Sequence, residues 1–140
     1  MENLKSRIDD ILSERNLTRI DLANLAGVHR NVIAKLNYAS ISLSTAIKIA
    51  NILNISIDYM VGLSEDDSKF KPTNNNINFY NNCKKILEEL NISQRKLCRD
   101  LNFSTDAFTR WKNGQLPFLS SIISIAKYLN VEIEELIGRK

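Results

Sequence analysis

Apolar residues recur at helical spacing in short blocks that polar caps and turns separate. In the clearest block, residues 17–36, the positions predicted to face inward are Leu22, Leu25, Ala26, Ile33 and Leu36. Thr18 can cap the first half, with Asp21 completing a capping box. Gly27 tolerates the positive φ that a sharp turn needs. The block predicts two short helices joined by a tight turn, the second running from Arg30 to about Leu36 with Arg30, Asn31, Ala34 and Lys35 facing out.

The same pattern returns in residues 92–111. Ser93 stands at the cap, and Asn102, the next-best residue for positive φ, stands at the turn. Phe108 and Trp111 occupy the inward positions and are predicted to be core residues. An internal repeat of this kind predicts two copies of one structural unit.

Further helical patterns flank both blocks. The predicted helices of the first copy outside the block are 3–14, 43–53 and a short one capped by Ser56, and the second copy repeats the order from 78–90 onward. We therefore predict an all-α fold with two five-helix domains, at 1–63 and 77–140. Between them, 64–76 is rich in polar residues and is predicted to be a flexible linker.

These motifs resemble the Cro/cI-type, or XRE, helix-turn-helix family. The second copy reads Ile-Ser-Gln, then Leu-Cys-x-x-Leu-Asn-Phe-Ser and Phe-x-x-Trp-x-Asn-Gly; the first reads Leu-Thr-x-x-x-Leu-Ala-x-x-Ala-Gly-Val. The first copy departs at His29, where the family has Ser or Thr, and at Asn37-Tyr38-Ala39, where an acidic-Asn-Gly run is common. The resemblance implies lambda-repressor-like domains that bind double-stranded DNA and regulate transcription, with repression by occupancy as the expected logic.

The resemblance also implies roles for individual residues, because the family sets one helix N-terminus against phosphate and the next helix in the major groove. The implied phosphate contacts are Arg19, His29, Tyr38, Gln94, Ser104 and Asn113. Of these, His29, expected to be a surface residue at a cap position, and Ser104 would start the helices that enter the groove. The implied base contacts are Arg30, Asn31, Lys35, Thr105, Asp106 and Arg110. Asp106 has a second interpretation, since it precedes Arg110 by one helical turn and the two can pair with each other.

A second function class stays open, because the same fold also serves in proteins that bind proteins. In that alternative the second domain, or both, is an interaction or antitoxin-like module that mediates dimerisation or partner binding. The expected partner in the first interpretation is duplex DNA, with a homodimer as the competing assembly. The sequence shows no small-molecule site, and we expect no separate ligand-sensing domain.

Composition narrows the classes further. The formal net charge of +3 and a pI of about 8.9 permit nucleic-acid binding without demanding it. No apolar run approaches the roughly 20 residues of a membrane span, and the N-terminal stretch alternates charged and apolar residues unlike a signal peptide. We therefore expect a cytoplasmic protein without membrane contact.

Chemistry-bearing clusters are scarce. The acidic neighbours, such as Asp9-Asp10, do not face each other on a helix, so we expect no enzyme. Cys83 and Cys98 fall at predicted core positions and are expected to be free buried thiols, with a redox switch as the alternative. Together with the single histidine, His29, they supply too few ligands for zinc, so neither metal nor cofactor is expected.

Overall fold

The computed structural model describes residues 4–38, 40–65, 70 and 77–139. Contacts divide the chain into two compact units, 1–71 and 72–140, and every regular element in the described residues is an α-helix. The helices of the first unit are α1 (Leu4–Glu14), α2 (Arg19–Ala26), α3 (Arg30–Ala34), α4 (Leu43–Leu53) and α5 (Ile57–Met60). Those of the second are α6 (Phe79–Leu90), α7 (Gln94–Leu101), α8 (Ala107–Lys112), α9 (Leu119–Leu129) and α10 (Ile133–Ile137). This confirms the prediction of an all-α fold with five helices in each unit.

Two arginines, Arg7 in α1 and Arg15 directly after it, link this helix to the ends of later helices in the first unit. Arg7 donates from Nη2 to the carbonyl of Tyr59 at 2.6 Å and from Nε to that of Met60 at 3.3 Å, and Arg15 donates to the carbonyl of Leu53. The last carbonyls of a helix have no partner within it, so an outside donor is needed. The two side chains therefore tie α1 to the C-terminal ends of α4 and α5.

The prediction that Leu25 faces inward is wrong, because 61% of this residue is exposed. Leu22 and Ala23 are the buried residues of α2, and Ala26 is half-buried. The buried stripe of this two-turn helix is thus narrower than its apolar pattern, and Leu25 lies beside it. In α4, Ile49 is fully buried.

An aromatic cluster forms the core of the second unit. The ring of Trp111 meets those of Phe79, Phe103 and Phe108 edge-on, at centroid distances of 5.2, 5.8 and 4.8 Å. Edge-to-face pairs at these distances add to the stabilisation from burial alone. Trp111 and Phe108 are buried, which confirms that they are core residues.

Asparagine ends several helices in the left-handed conformation. The positive φ angles lie between 53° and 61° and belong to Asn16, Asn54, Asn91, Asn102 and Asn130. Asparagine adopts this conformation more readily than other residues that carry a Cβ. The predicted turn at Asn102 is confirmed, and Gly27 adopts φ 67° at the equivalent turn.

The predicted linker, 64–76, lies mostly outside the described residues. Within it, the backbone N–H of Phe70 donates to the carbonyl of Asn54 at 2.9 Å. The domain limits 63/64 and 76/77 and the flexibility of the segment stay predictions. In the part of the chain that the structure describes, no helix is long and apolar enough to cross a membrane.

Candidate nucleic-acid interface

Hydrogen bonds between residues close in the sequence set where α2 begins and ends, before the turn into α3. The Thr18 hydroxyl accepts from the Asp21 N–H at 3.1 Å, and Asp21 Oδ2 accepts from the Thr18 N–H at 2.9 Å. This reciprocal capping box was predicted, and it sets where α2 begins. Gly27 then turns the chain into α3, and its N–H closes the end of α2 on the carbonyls of Ala23 and Asn24.

His29 caps α3 with its side chain, as predicted for a surface cap residue. Its Nδ1 accepts from the N–H of Asn31 at 3.1 Å. An imidazole nitrogen that accepts carries no proton, so the proton of the neutral ring is on Nε2. His29 is exposed, and its Nε2–H is a donor that the cap does not use.

The outer surface of α3 carries three exposed polar side chains, those of Arg30, Asn31 and Lys35. Among the described residues, no ion pair or side-chain hydrogen bond occupies them. Helix α3 ends at Ala34, so Lys35 lies at its C-cap and the helix is shorter than predicted. Ala34, predicted to face out, is half-buried.

Val32 also belongs to this surface, and sequence reasoning missed it. It is 40% exposed, next to Asn31 and about 100° around the axis of α3 from the buried Ile33. An apolar residue out of phase with the buried positions of a helix is the signal that could have found it.

A groove of about 450 Å³ runs beside α3, between this helix and the start of α4. Asn31, Val32 and Lys35 line one side of it, and Ser42 and Thr45 line the other. Ser42 caps α4 by accepting from the Thr45 N–H at 3.2 Å. Tyr38, an implied phosphate contact, is half-buried in the loop before this groove.

Arg19, the implied phosphate contact at the start of α2, already has a partner. Its Nε donates to Oδ1 of Asp9 at 2.8 Å, and a second nitrogen donates to Oδ2. The bond from Arg19 lowers the pKa of the Asp9 carboxyl. The pair is exposed on both sides, so it contributes little to stability.

In the second unit, Ser93 caps α7 by accepting from the Lys96 N–H at 3.0 Å. Gln94, the implied phosphate contact, is the first residue of α7 and is half-buried. Further along α7, Asp100 accepts from Lys96 Nζ at 2.8 Å and from the Tyr128 hydroxyl at 2.6 Å. Together the two hydrogen bonds lower the pKa of the Asp100 carboxyl to about 2, and the bond from Lys96 has the larger effect.

The helix that the family resemblance sets in the major groove differs between the two units. We predicted that Ser104 begins it, and this is wrong: α8 begins at Ala107, with Asp106 at its N-cap. Thr105 and Asp106 lie in a turn that precedes the helix. The reason is local, because the Ser104 hydroxyl donates to Asp106 Oδ1 at 2.6 Å and draws this segment into a closed turn.

Arg110 joins the same network. It donates to the Ser104 hydroxyl at 3.1 Å, and its Nε lies 3.7 Å from Asp106 Oδ1. The Ser104 hydrogen bond and the Arg110 charge lower the pKa of Asp106. The predicted pairing of Asp106 with Arg110 is thus present. Asn113, at the C-cap of α8, is exposed.

The two cysteines are free and buried, as expected. Burial raises the pKa of the Cys83 thiol to about 12, with a smaller contribution from Cys98, and burial also raises the pKa of Cys98. The described residues contain no group of three or more potential ligands that could hold a metal ion.

Comparison with known families agrees with this geometry. A family profile described as "Cro/C1-type HTH DNA-binding domain" matches residues 82–140, and one described as "Helix-turn-helix" matches residues 10–60. No curated protein and no solved structure matches the chain significantly. Domains of this kind support a DNA-binding regulator and are typical of proteins that are not enzymes. The chain is therefore a tandem helix-turn-helix protein of the Cro/C1-type, or XRE, family.

Proposed function

We propose that the chain is a sequence-specific transcriptional regulator whose first domain reads duplex DNA with α3 in the major groove and represses by occupying its site. The observation that carries this is the set of exposed side chains on α3 and its C-cap, Arg30, Asn31 and Lys35, which have no side-chain partner among the described residues. An arginine can donate two bonds to guanine, and an asparagine can pair with adenine, each discriminating by roughly 1–3 kcal/mol.

Phosphate contacts would set the position of α3 in the groove. Arg19 lies at the N-terminus of α2, where the partial positive charge of the helix adds to its own. His29 Nε2 offers a donor at the start of α3. Such contacts position the domain without carrying sequence information.

Selection of bound duplexes from a random pool, followed by affinity measurements, tests the proposal. Arg30→Ala or Asn31→Ala should weaken binding to the selected site by roughly 1–3 kcal/mol and relax its sequence preference. Lys48→Ala, which removes an exposed cation of α4, is the matched control. Parent affinity in both α3 variants would show that the first domain is not the reader.

The second domain has two candidate roles. Its Ser104, Asp106 and Arg110 form a closed network, and Asp106 repels phosphate, which favours an assembly or protein-binding role. Exposed Leu116 and Phe118, between α8 and α9, support the same alternative. The tandem arrangement supports DNA reading instead, since a second reading unit lies in the same chain.

Footprinting with measured stoichiometry separates the two roles. Half-sites on one face of DNA are about 34 Å apart, and a flexible linker at 64–76 would raise the local concentration of the second domain to about millimolar. One chain on an asymmetric site of two helical turns supports tandem reading. Two chains on a palindrome, with affinity indifferent to Gln94→Ala and Arg110→Ala, support homodimerisation through the second domain.

A further inference from the structure

A cavity of about 680 Å³ opens between α7 and α8 of the second domain. Its volume is in the range of small-molecule sites, which run from roughly 300 to 1,000 Å³. The apolar part of its wall consists of Cys98, Phe103 and Phe108. Cys98 and Phe108 are largely buried, and Phe103 is half-buried, so the apolar wall continues from the core into an open cleft.

The rim of the cavity is cationic. Arg95 and Arg99 project from successive turns of α7, and none of the described residues that line the cavity is acidic. Among the described residues no ion pair involves Arg95, and Arg99 makes only a 3.6 Å contact with Asp100 while its side chain is 72% exposed. Thr105 and Thr109 add hydroxyl groups on the α8 side.

The corresponding positions of the first domain have different chemistry. In the repeat, Ile20 and Asn24 stand where the second domain has Arg95 and Arg99, and Val28 stands where it has Phe103. Paired arginines over an aromatic wall are thus a property of the second copy, and the repeated fold does not require them.

We propose that this cavity binds a small aromatic carboxylate. The ring would pack against Phe103 and Phe108, where edge-on or offset contacts between aromatic rings are favourable. The carboxylate would meet the guanidinium groups of Arg95 and Arg99, which can donate two parallel hydrogen bonds to it. Charge complementarity selects an anion over a neutral aromatic molecule of the same shape.

The site also overlaps the face that the family resemblance assigns to DNA. Both Gln94 and Thr105 line the cavity. The resemblance implies that Gln94 contacts phosphate and that Thr105 contacts a base. An occupant would therefore compete with duplex at the second domain. This regulatory consequence rests on the proposed function of that domain, whereas ligand binding itself does not.

Titration of the full chain with 2-naphthoate and with its neutral analogue 2-naphthamide, followed by calorimetry and by backbone amide NMR shifts, tests the site. We expect 2-naphthoate to bind at least ten-fold more tightly, with shifts centred on α7 and α8. Arg95→Gln with Arg99→Gln should abolish this preference. The charge-matched control, Lys84→Gln with Lys85→Gln, changes two exposed lysines of α6 and should retain it.

Equal affinity of the parent for the acid and the amide, absence of binding, or shifts away from α7 and α8 would each overturn the proposal. Competition with duplex is measured separately, as the apparent Kd for DNA with and without saturating 2-naphthoate. Binding of 2-naphthoate with an unchanged Kd for DNA would uphold the site and reject DNA contact through this face of the second domain.

Discussion

Arg19 and Asp9 form a two-point ion pair that joins the start of α2 to α1. The guanidinium that the family resemblance assigns to phosphate is thus held beside a carboxylate. Because like charges repel, Asp9 disfavours a phosphate at this place, and Arg19 has to share its donors or exchange partners on binding. In the proposed DNA complex, the ion pair would therefore lower the contribution of Arg19 to DNA affinity.

Asp9→Asn should strengthen binding to all duplex sequences alike, several-fold at low salt. The released Arg19 should steepen the dependence of log K on log salt by about one unit. Asp10→Asn changes the net charge equally on the neighbouring exposed residue and is the matched control. Equal gains from the two variants would mean that net charge alone, and not the pair, sets the effect.

Val32 should read a thymine methyl group, since it is an exposed apolar side chain between the proposed base-reading residues. Replacing that thymine of the selected site by deoxyuridine removes the methyl group and should cost about 0.8 kcal/mol, roughly four-fold in Kd. With Val32→Ala the same replacement should cost nothing. A full cost in the variant would assign the methyl contact to another side chain.

Trp111→Ala should destabilise the second domain by about 3–5 kcal/mol, because it removes the ring that three phenylalanines surround. Since a domain of this size is marginally stable, Trp111→Phe supplies a milder variant for urea denaturation. Leu90→Ala is the control, as this leucine of α6 is 47% exposed. A Trp111→Ala protein with the parent's denaturation midpoint would contradict the burial.

The Asp100 cluster should stabilise the second domain in a pH-dependent way. Its folded pKa of about 2 lies below the usual 3.8, so the stabilisation is present above about pH 4 and lost as the pH falls through about 2. The difference in urea midpoint between the parent and Asp100→Asn should therefore shrink over that interval. Glu88→Gln, on the exposed surface of α6, is the control for the loss of one negative charge.

Cysteine alkylation should distinguish the two thiols. Cys83 has no exposed surface and a pKa of about 12, so at pH 8 its reactive thiolate is scarce as well as buried. Cys98 is 7% exposed at the wall of the cavity and should react first with iodoacetamide. Mass spectrometry of native and urea-unfolded protein reads both rates. Native reaction of Cys83 at the rate of the unfolded chain would contradict the burial.

Features that depend on neighbouring residues in the sequence were predicted well. Thr18 and Ser93 cap their helices as expected, because a cap is a contact between residues two or three apart. Comparing the two copies of the repeat predicted the positive φ of Asn102, because Asn102 occupies the position of Gly27. The all-α fold followed from the same local signals.

Features that depend on how helices cross were not predictable in this way. The partner of Arg19 lies on another helix, and no periodicity within α2 indicates it. The prediction that Leu25 faces inward was wrong because the apolar character of a residue does not show which side of a short helix packs against other helices. The prediction that Ser104 begins its helix was wrong because side-chain hydrogen bonds hold this segment in a turn where the first turn of the helix was expected.

Replacing asparagines that adopt the left-handed conformation at helix ends can raise the thermal stability of the protein. A side chain in this conformation costs roughly 1–2 kcal/mol in general, and glycine avoids the cost while making the unfolded chain more mobile. Asn54→Gly and Asn130→Gly, both remote from the candidate sites, should therefore each raise the melting temperature slightly. Such a background would keep weakened variants folded, so that a loss of DNA affinity could be assigned to recognition and not to melting.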